Sequence, residues 1–265
     1  MAKFIPSVKR AFKILELFMD GTRSFSVPEI TARLKLPRTT AHELVQTLLA
    51  CGYLEKDDHQ PRRLTLGLRA FELGSIYAAQ VDIAEDGLKV AKKVSNACDE
   101  TVQMAIRNGT DAVFIIRVDS SHVLRLVSAV GSRLPAHCTG VGKMLLSVLN
   151  DEELSALYAG QRRLPGMTAN SITSFKGLLN EVAEIRARGY AYDDCESNED
   201  ARCVAAAVYD RNGQMCAAMS ITVPVTRMNE RRKVELVEIV QSGAKELSRL
   251  LGYRPDYVKP RAEPG

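Results

Sequence analysis

The polar residues between positions 38 and 47 are the first candidates for chemistry in this chain. They are Arg38, Thr39, Thr40, His42, Glu43, Gln46 and Thr47. Their side chains donate and accept hydrogen bonds, so together they can recognise a polar surface. The apolar residues among them recur at the spacing of one helix face. These are Ala41, Leu44, Val45, Leu48 and Leu49. The pattern predicts a helix that buries its apolar stripe and presents its polar residues outward.

Two further helices are predicted before this one. Ser26 and Glu29 are three residues apart and form the sequence pattern of a capping box, which starts a helix. Pro37 suits the first turn of the third helix, where its missing N–H would have had no partner. Upstream, apolar residues at helical spacing indicate a first helix that ends at Gly21. They are Val8, Ala11, Phe12, Leu15, Phe18 and Met19.

A short hairpin is predicted after the third helix. Cys51-Gly52 ends the helical pattern, and a polar turn over residues 57–61 precedes the segment Arg62-Arg63-Leu64-Thr65-Leu66. Alternation in this segment places Leu64 and Leu66 inward and Arg63 outward.

Three helices and a two-stranded wing make a winged helix-turn-helix. The third helix fits the major groove of B-DNA, which is about 12 Å wide, and Arg62 and Arg63 would contact phosphates beside it. We therefore expect double-stranded DNA as the partner of this part of the chain. A helical protein-docking module is the alternative, because helix-turn-helix geometry also occurs in such modules.

The distribution of charge favours DNA. Residues 1–74 hold 12 Lys and Arg against 8 Asp and Glu, whereas residues 75–265 hold 24 of each sign. The whole formal excess of +4 therefore lies in the first part of the chain, which suits one end that faces a polyanion. Because the excess is modest, we expect at least a dimer with two DNA-reading helices on two half-sites.

Length and composition limit the remaining possibilities. The 265 residues, 46% of them hydrophobic, suffice for a small domain of about 75 residues and a larger one of about 170. No apolar run is long enough for a signal peptide or a membrane span, so a cytoplasmic protein without a membrane partner is expected. The six cysteines form no CxxC pair and are interpreted as core residues of a reducing compartment, and no cofactor is expected.

Composition and periodicity predict the domain organisation. The winged helix-turn-helix is placed in residues 1–74, which close at Gly74-Ser75, and a linker helix in residues 75–97. A sensor-like domain over residues 98–253 and a tail over residues 254–265 complete the chain.

Antiparallel strands with helices grouped around them are predicted in the sensor-like domain. Asn108-Gly109 and residues 211–214 each form a hairpin turn between two strands, and Val123–Val130 is predicted as a further strand. Helices are predicted over about 139–149, 151–159, 172–188 and 227–251, the last of which is expected to bury Val234. The fold class is therefore α+β.

Five segments, in the same order, resemble signatures of the IclR (isocitrate lyase regulator) family. They are TTAH at 39–42, LTLG at 64–67, LPAHCTGVGK at 134–143, RGYAYDD at 188–194 and RCVAAAV at 202–208. The resemblance extends over about residues 7–252. Relatives often carry Arg after the recognition-helix histidine, where this chain has Glu43, and this departure predicts a different base contact at that position.

The resemblance implies a one-component transcription regulator, often a repressor, in which a linker helix joins the winged helix to a GAF-like α/β sensor domain. Members act as dimers or tetramers on palindromic operators near catabolic genes and bind a small metabolite. The family's effector site maps onto six residues of this sequence. They are Gly140, Val141, Asp193, Cys203, Ser220 and Thr222.

The mapped residues favour a small organic acid or a related carbonyl compound. The glycine-bearing turn over residues 139–143 can present backbone N–H groups to a carboxylate, or it can serve as a helix cap that permits tight packing. The phosphate-loop pattern fails, because it needs Gly and Ser or Thr where the chain has His137 and Met144. Asp193 beside a carboxylate requires either a hydroxyl or amine donor on the ligand or a protonated Asp193, and we favour a ligand that carries such a donor.

Two other classes of function are open at this point. A cysteine enzyme would use the adjacent pair His137-Cys138, although neighbouring side chains on a strand point apart. A metal-sensing or thiol-redox regulator would use Asp193, Cys195, Cys203 and His137, which lack close ligand spacing.

Overall fold

The structure is a computed structural model that describes residues 4–80, 83–121, 128–161 and 163–254. The chain divides into two compact units, residues 1–81 and residues 82–265.

Unit 1 is a winged helix-turn-helix. Its helices are α1 (Pro6–Glu16), α2 (Val27–Leu34), α3 (Arg38–Ala50) and α4 (Leu68–Gln80). Its strands are β1 (Phe25–Ser26), β2 (Leu54–Lys56) and β3 (Arg63–Leu66). β3 lies between the other two strands and pairs antiparallel with both, so β1 joins the predicted two-stranded wing as a third strand.

The core of unit 1 forms where the three helices meet the wing. Ile14 of α1, Ile30 of α2 and Val45 of α3 are buried around Phe25 and Leu54. The predicted capping box is confirmed, because the Glu29 carboxylate accepts from the Ser26 backbone N–H at 2.7 Å and the Ser26 hydroxyl accepts from the Glu29 N–H at 3.4 Å.

Two features of this core differ from the sequence interpretation. Leu64 is buried as expected, but Leu66 at the end of β3 is 45% exposed, because the helix-covered core ends before it. The apolar spacing of α1 also misplaces its buried face, since Val8 and Phe12 are exposed and Ile14 is fully buried.

Unit 2 is built on a six-stranded antiparallel sheet. Its strands are β4 (Thr101–Asn108), β5 (Asp111–Val118), β6 (Arg133–Pro135), β7 (Ala191–Asp194), β8 (Ala201–Tyr209) and β9 (Met215–Pro224). Its helices are α5 (Ile83–Cys98), α6 (Gly140–Leu146), α7 (Asp151–Leu157), α8 (Phe175–Arg188) and α9 (Glu230–Leu250). The strand order is β6-β5-β4-β9-β8-β7.

Helices cover both faces of this sheet. On one face, Gly243 of α9 lies so close to α5 that an added Cβ would stand 2.4 Å from a methyl group of Val94. On the other face, Val141 and Met144 of α6 pack on Ala105 and Phe114 of the sheet. The side chains on this second face therefore lie between the sheet and α6.

The predicted hairpins and the strands beside them are confirmed, whereas some other elements differ. Of the predicted strand Val123–Val130, residues 123–127 lie outside the described residues and residues 128–130 are not a strand. Instead β6 pairs with β5, and its three residues are too few to show periodicity. In α9, Val234 is 60% exposed and Leu236 is buried in its place.

The region predicted as a linker contains parts of two helices. Gly74 lies within α4, and α5 begins at Ile83. Among the described helices, none is long and apolar enough to cross a membrane.

Candidate functional site

The polar face of α3 is uncovered within unit 1. Ala41, Val45 and Leu48 are buried, while all of the predicted DNA-reading residues on α3 are exposed except the half-buried Thr40. The Thr47 hydroxyl donates to the backbone carbonyl of Glu43 at 2.9 Å, one turn earlier. The remaining side chains project from a helix that is fixed by its buried stripe.

The two wing arginines have different surroundings. Arg62 is exposed. Arg63, which was expected to point outward, turns back onto unit 1 instead: its Nε donates to the Ser24 hydroxyl at 2.8 Å and its Nη2 to the Ser24 carbonyl at 2.7 Å. Its guanidinium also pairs with Glu29 at 3.2 Å, so Arg63 joins the wing to the start of α2.

A cavity of about 390 Å³ lies in unit 2 between the sheet and α6. Its wall includes all six residues onto which the resemblance to the IclR family maps an effector site. They are Gly140, Val141, Asp193, Cys203, Ser220 and Thr222. Residues separated by more than 80 positions therefore line one space.

The sheet register explains how the strand residues meet. Cys203 of β8 is paired with Thr222 of β9 on one side and with Asp193 of β7 on the other, so the three form a row across the sheet. Ser220, two residues before Thr222, projects from the same face and is paired with Gln103 of β4.

Glycine allows α6 to approach this row. A Cβ on Gly140 would stand 2.5 Å from Cys203 Sγ, and one on Gly142 would stand 2.2 Å from the Ala136 carbonyl oxygen. Thr139 caps the helix through its hydroxyl, which accepts from the Gly142 N–H at 3.0 Å. The turn thus serves as a tightly packed cap, as the alternative interpretation held, and also forms part of the cavity wall.

Asp193 uses both carboxylate oxygens within its own chain segment. Oδ1 accepts from the Glu196 N–H at 2.7 Å, and Oδ2 accepts from the Ser197 hydroxyl at 2.6 Å. Burial raises the pKa of the Asp193 carboxyl, while these donors act in the opposite direction. The residue lies inside β7, and its hydrogen bonds hold the turn that follows.

A buried lysine supports the same turn, a role that was not predicted from the sequence. Lys143 of α6 is 1% exposed, and its Nζ lies 2.5 Å from Glu196, 3.1 Å from Glu181 and 2.6 Å from the Tyr192 carbonyl. Its position within an apolar helix was the available signal, because a buried Lys requires charged or polar partners. These contacts join α6 to α8, to β7 and to the turn that follows β7.

Gln103 and Arg202 also line the cavity and were not predicted as site residues. The Gln103 amide Nε2 donates to the Ser128 carbonyl at 2.9 Å. The Arg202 guanidinium pairs with Asp194 at 2.7 Å. Among the described lining residues, Arg202 and Asp193 are the charged ones.

The contacts of the cysteine and histidine residues do not support a cysteine enzyme or a metal or thiol-redox sensor. His137 Nε2 faces the Pro165 carbonyl at 2.8 Å, and the Cys138 thiol donates to the same oxygen at 3.5 Å, so the pair is directed at a backbone acceptor. Burial raises the pKa of the Cys203 thiol well above its ordinary value, which disfavours the reactive thiolate. No group of three or more possible metal ligands occurs within the described ranges.

Comparison with known proteins identifies the family. The model of the IclR helix-turn-helix domain matches residues 7–58, and that of the bacterial transcriptional regulator IclR C-terminal domain matches residues 75–249. The chain belongs to the IclR family. It is thus a transcriptional regulator with a DNA-binding helix-turn-helix domain.

Relatives of this IclR-family protein match along nearly their whole lengths. The chain is 33% identical over 251 residues to the transcriptional repressor AllR of Salmonella typhimurium, covering 94% of this chain and 91% of AllR. It is 29% identical over 249 residues to the regulator XynR of Escherichia coli, covering 94% and 98%. The crystal structure of Thermotoga maritima IclR has a TM-score of 0.75 at 26% identity, covering 94% of this chain and all of that one.

Proposed function

We propose that this IclR-family regulator represses a catabolic operon from a palindromic operator and responds to a small organic acid or related carbonyl metabolite. The operator is read by α3, with phosphate contacts from Arg62, and the metabolite occupies the cavity of unit 2. The observation that carries the proposal is this cavity, which gathers six residues from α6 and three strands against a sheet whose faces are otherwise packed.

The lining of the cavity supports a ligand with a polar and an apolar part. No described residue hydrogen-bonds the Ser220 or Thr222 hydroxyls, so both hydroxyls can bind polar atoms of a ligand. Phe114, Leu134, Val141 and Met167 supply the apolar part of the wall. A concave site that combines apolar walls with polar groups is typical of small-molecule binding.

Self-association is supported by exposed apolar surface on unit 1. Phe4, Ile5, Val8 and Phe12 are exposed at the start of the chain and along α1. Leu68 and Phe71 are exposed on α4. Contiguous exposed apolar residues mark interaction surfaces. We infer a homodimer or a tetramer of such dimers, which places two copies of α3 on two half-sites in the cytoplasm.

The proposal is tested on DNA taken from upstream of the chain's own gene. Binding of purified full-length protein is measured by fluorescence anisotropy across a series of salt concentrations, against an unrelated fragment of equal length. The upstream fragment is expected to bind at least a thousandfold more tightly, with affinity that falls steeply as salt rises. Equal affinity for the two fragments would rule out operator recognition at this locus.

A further inference from the structure

Gln103 occupies an unusual position in the centre of the sheet. It lies in β4, where residues 101–105 are all buried, and the residue is 4% exposed. Its strand neighbour on the cavity side, Ala105, belongs to the apolar core. An amide in such a place costs free energy unless its polar atoms find partners.

The orientation of this amide is fixed by its surroundings. Its hydrogen-bond partner is the Ser128 carbonyl at 2.9 Å, which can only accept, so the NH₂ group must face it. The carbonyl oxygen Oε1 therefore occupies the other branch of the amide. No described residue donates to Oε1, and Gln103 forms part of the cavity wall.

Gln103 stands beside the hydroxyls of the cavity. It is paired across the strands with Ser220, and Thr222 lies two residues further along the same strand face. Hydroxyl groups can donate or accept, whereas Oε1 can only accept. Asp193, the other strong acceptor of the wall, already receives hydrogen bonds on both carboxylate oxygens.

We propose that Gln103 is a specificity-determining residue of the cavity, whose carbonyl oxygen accepts a hydrogen bond from a hydroxyl or amino group of the ligand. The inference rests on the proposed function and refines its ligand class to hydroxy or amino acids. A site built around such an acceptor rejects the analogue that lacks the donor, because the oxygen would then be buried without a partner.

The experiment compares acids that differ in one hydroxyl group. Full-length protein is titrated by calorimetry with glycolate and acetate, lactate and propionate, and 3- or 4-hydroxybenzoate and benzoate. In at least one pair we expect the hydroxylated acid to bind about tenfold more tightly or better. Gln103→Met, which keeps the length and removes the acceptor, should abolish that preference, because the hydroxylated acid loses its hydrogen bond and the unsubstituted acid no longer faces an unpartnered oxygen.

The control is Gln241→Met. The Gln241 amide also donates to a backbone carbonyl, that of Gly189, but it lies on α9 and not in the cavity wall. This variant should retain the wild-type preference. Should Gln103→Met not fold, Gln103→Asn, which withdraws the same acceptor by one methylene, should reduce the preference.

Three outcomes would overturn the inference, and two of them leave the proposed function intact. If wild-type protein binds acids but treats both members of every pair alike, the role of Gln103 fails while the proposed function survives. The same conclusion follows if either Gln103 variant folds and keeps the full preference. If none of the acids binds, the organic-acid proposal fails together with this refinement.

Discussion

At the scale of single residues, the partners of a side chain decide what it contributes. Arg62 and Arg63 are adjacent in the sequence, yet one is exposed and the other contacts Ser24 and Glu29. Asp193 and Gln103 are both acceptors in the cavity wall, yet the carboxylate is satisfied by its own turn and the amide oxygen is not. From residue type alone, the two members of each pair would have been given the same role.

The first prediction separates the two arginines. Arg62→Ala should reduce the slope of log K against log salt for DNA binding by about one unit, because one phosphate contact is lost. Arg63→Ala should change this slope less and should lower the urea midpoint of unfolding, because it removes the contacts between the wing and α2. The two measurements are salt-dependent anisotropy and urea denaturation. A larger loss of slope in Arg63→Ala than in Arg62→Ala would contradict the assignment.

The second prediction concerns Thr222. Thr222→Val keeps the shape of the side chain and removes its hydroxyl from the cavity, so ligand affinity should fall by about tenfold. Operator affinity without ligand should be unchanged, because Thr222 belongs to the sheet of unit 2. Calorimetry and anisotropy on the same preparation provide both values. Loss of operator binding together with ligand binding would show that the hydroxyl supports the fold instead.

The third prediction concerns His137 and pH. Burial lowers the pKa of its imidazole in the folded protein, so below about pH 6.5 the unfolded chain binds a proton that the folded chain does not. The free energy of unfolding should therefore fall as the pH drops below this value. Asp193 and Glu196 have raised pKa values and act in the opposite direction, but they are common to wild type and variant.

The comparison that isolates His137 uses His137→Gln, which retains an amide donor for the Pro165 carbonyl. Urea denaturation of both proteins at pH 7.5 and pH 5.5 should show a larger loss of stability in wild type than in the variant. An equal loss would mean that the imidazole does not contribute to the acid sensitivity.

At the scale of elements, the approach of α6 to the sheet forms one side of the cavity. A Cβ on Gly140 would meet Cys203 Sγ at 2.5 Å, while the next nearest atoms, Cβ of Asp193 and of Ala205, lie at 3.6 and 3.7 Å. The close contact is thus confined to a single sulfur atom. Removing that sulfur should therefore offset the effect of a substitution at Gly140.

The fourth prediction uses this arrangement. Gly140→Ala should lower the urea midpoint and weaken ligand binding, because the helix must move away from the sheet. Adding Cys203→Ala should restore most of the stability, since the remaining neighbours are at ordinary van der Waals distance. A double-mutant cycle measures the coupling. Stability losses that simply add would exclude the contact as the reason for glycine at this position.

Local signals in the sequence predicted most of the elements. Ser26 and Glu29 form a capping box as their spacing indicates, and the turn at Gly109 takes the positive φ of 62° that a tight hairpin requires. These features depend on residues within a few positions of each other. Their patterns are therefore visible in the sequence.

The predictions that differ depend on contacts between distant segments. Arg63 reaches Ser24 across 39 positions, and Lys143 reaches Glu196 across 53. Neither pairing follows from a period of 2 or 3.6 residues, because the strand register and the packing of α6 decide it. The cavity residues were located through resemblance to a family, whereas the position of Gln103 beside Ser220 required the sheet register.

At the scale of the whole molecule, one chain carries a basic DNA-binding unit and a charge-balanced unit with a cavity. Such a chain responds to a metabolite only if the ligand has different affinities for two arrangements of the protein. By linkage, the factor by which the ligand changes operator affinity equals the factor by which the operator changes ligand affinity. Both factors can be measured independently.

The fifth prediction tests the central claim, that occupation of the cavity controls DNA binding. With a ligand identified among the hydroxy acids, operator affinity of wild-type protein is measured by anisotropy in its absence and at saturation. We expect operator affinity to change by about 5- to 150-fold, and ligand affinity to change by the same factor when operator is added. If a ligand that binds the cavity leaves operator affinity unchanged, the account is contradicted.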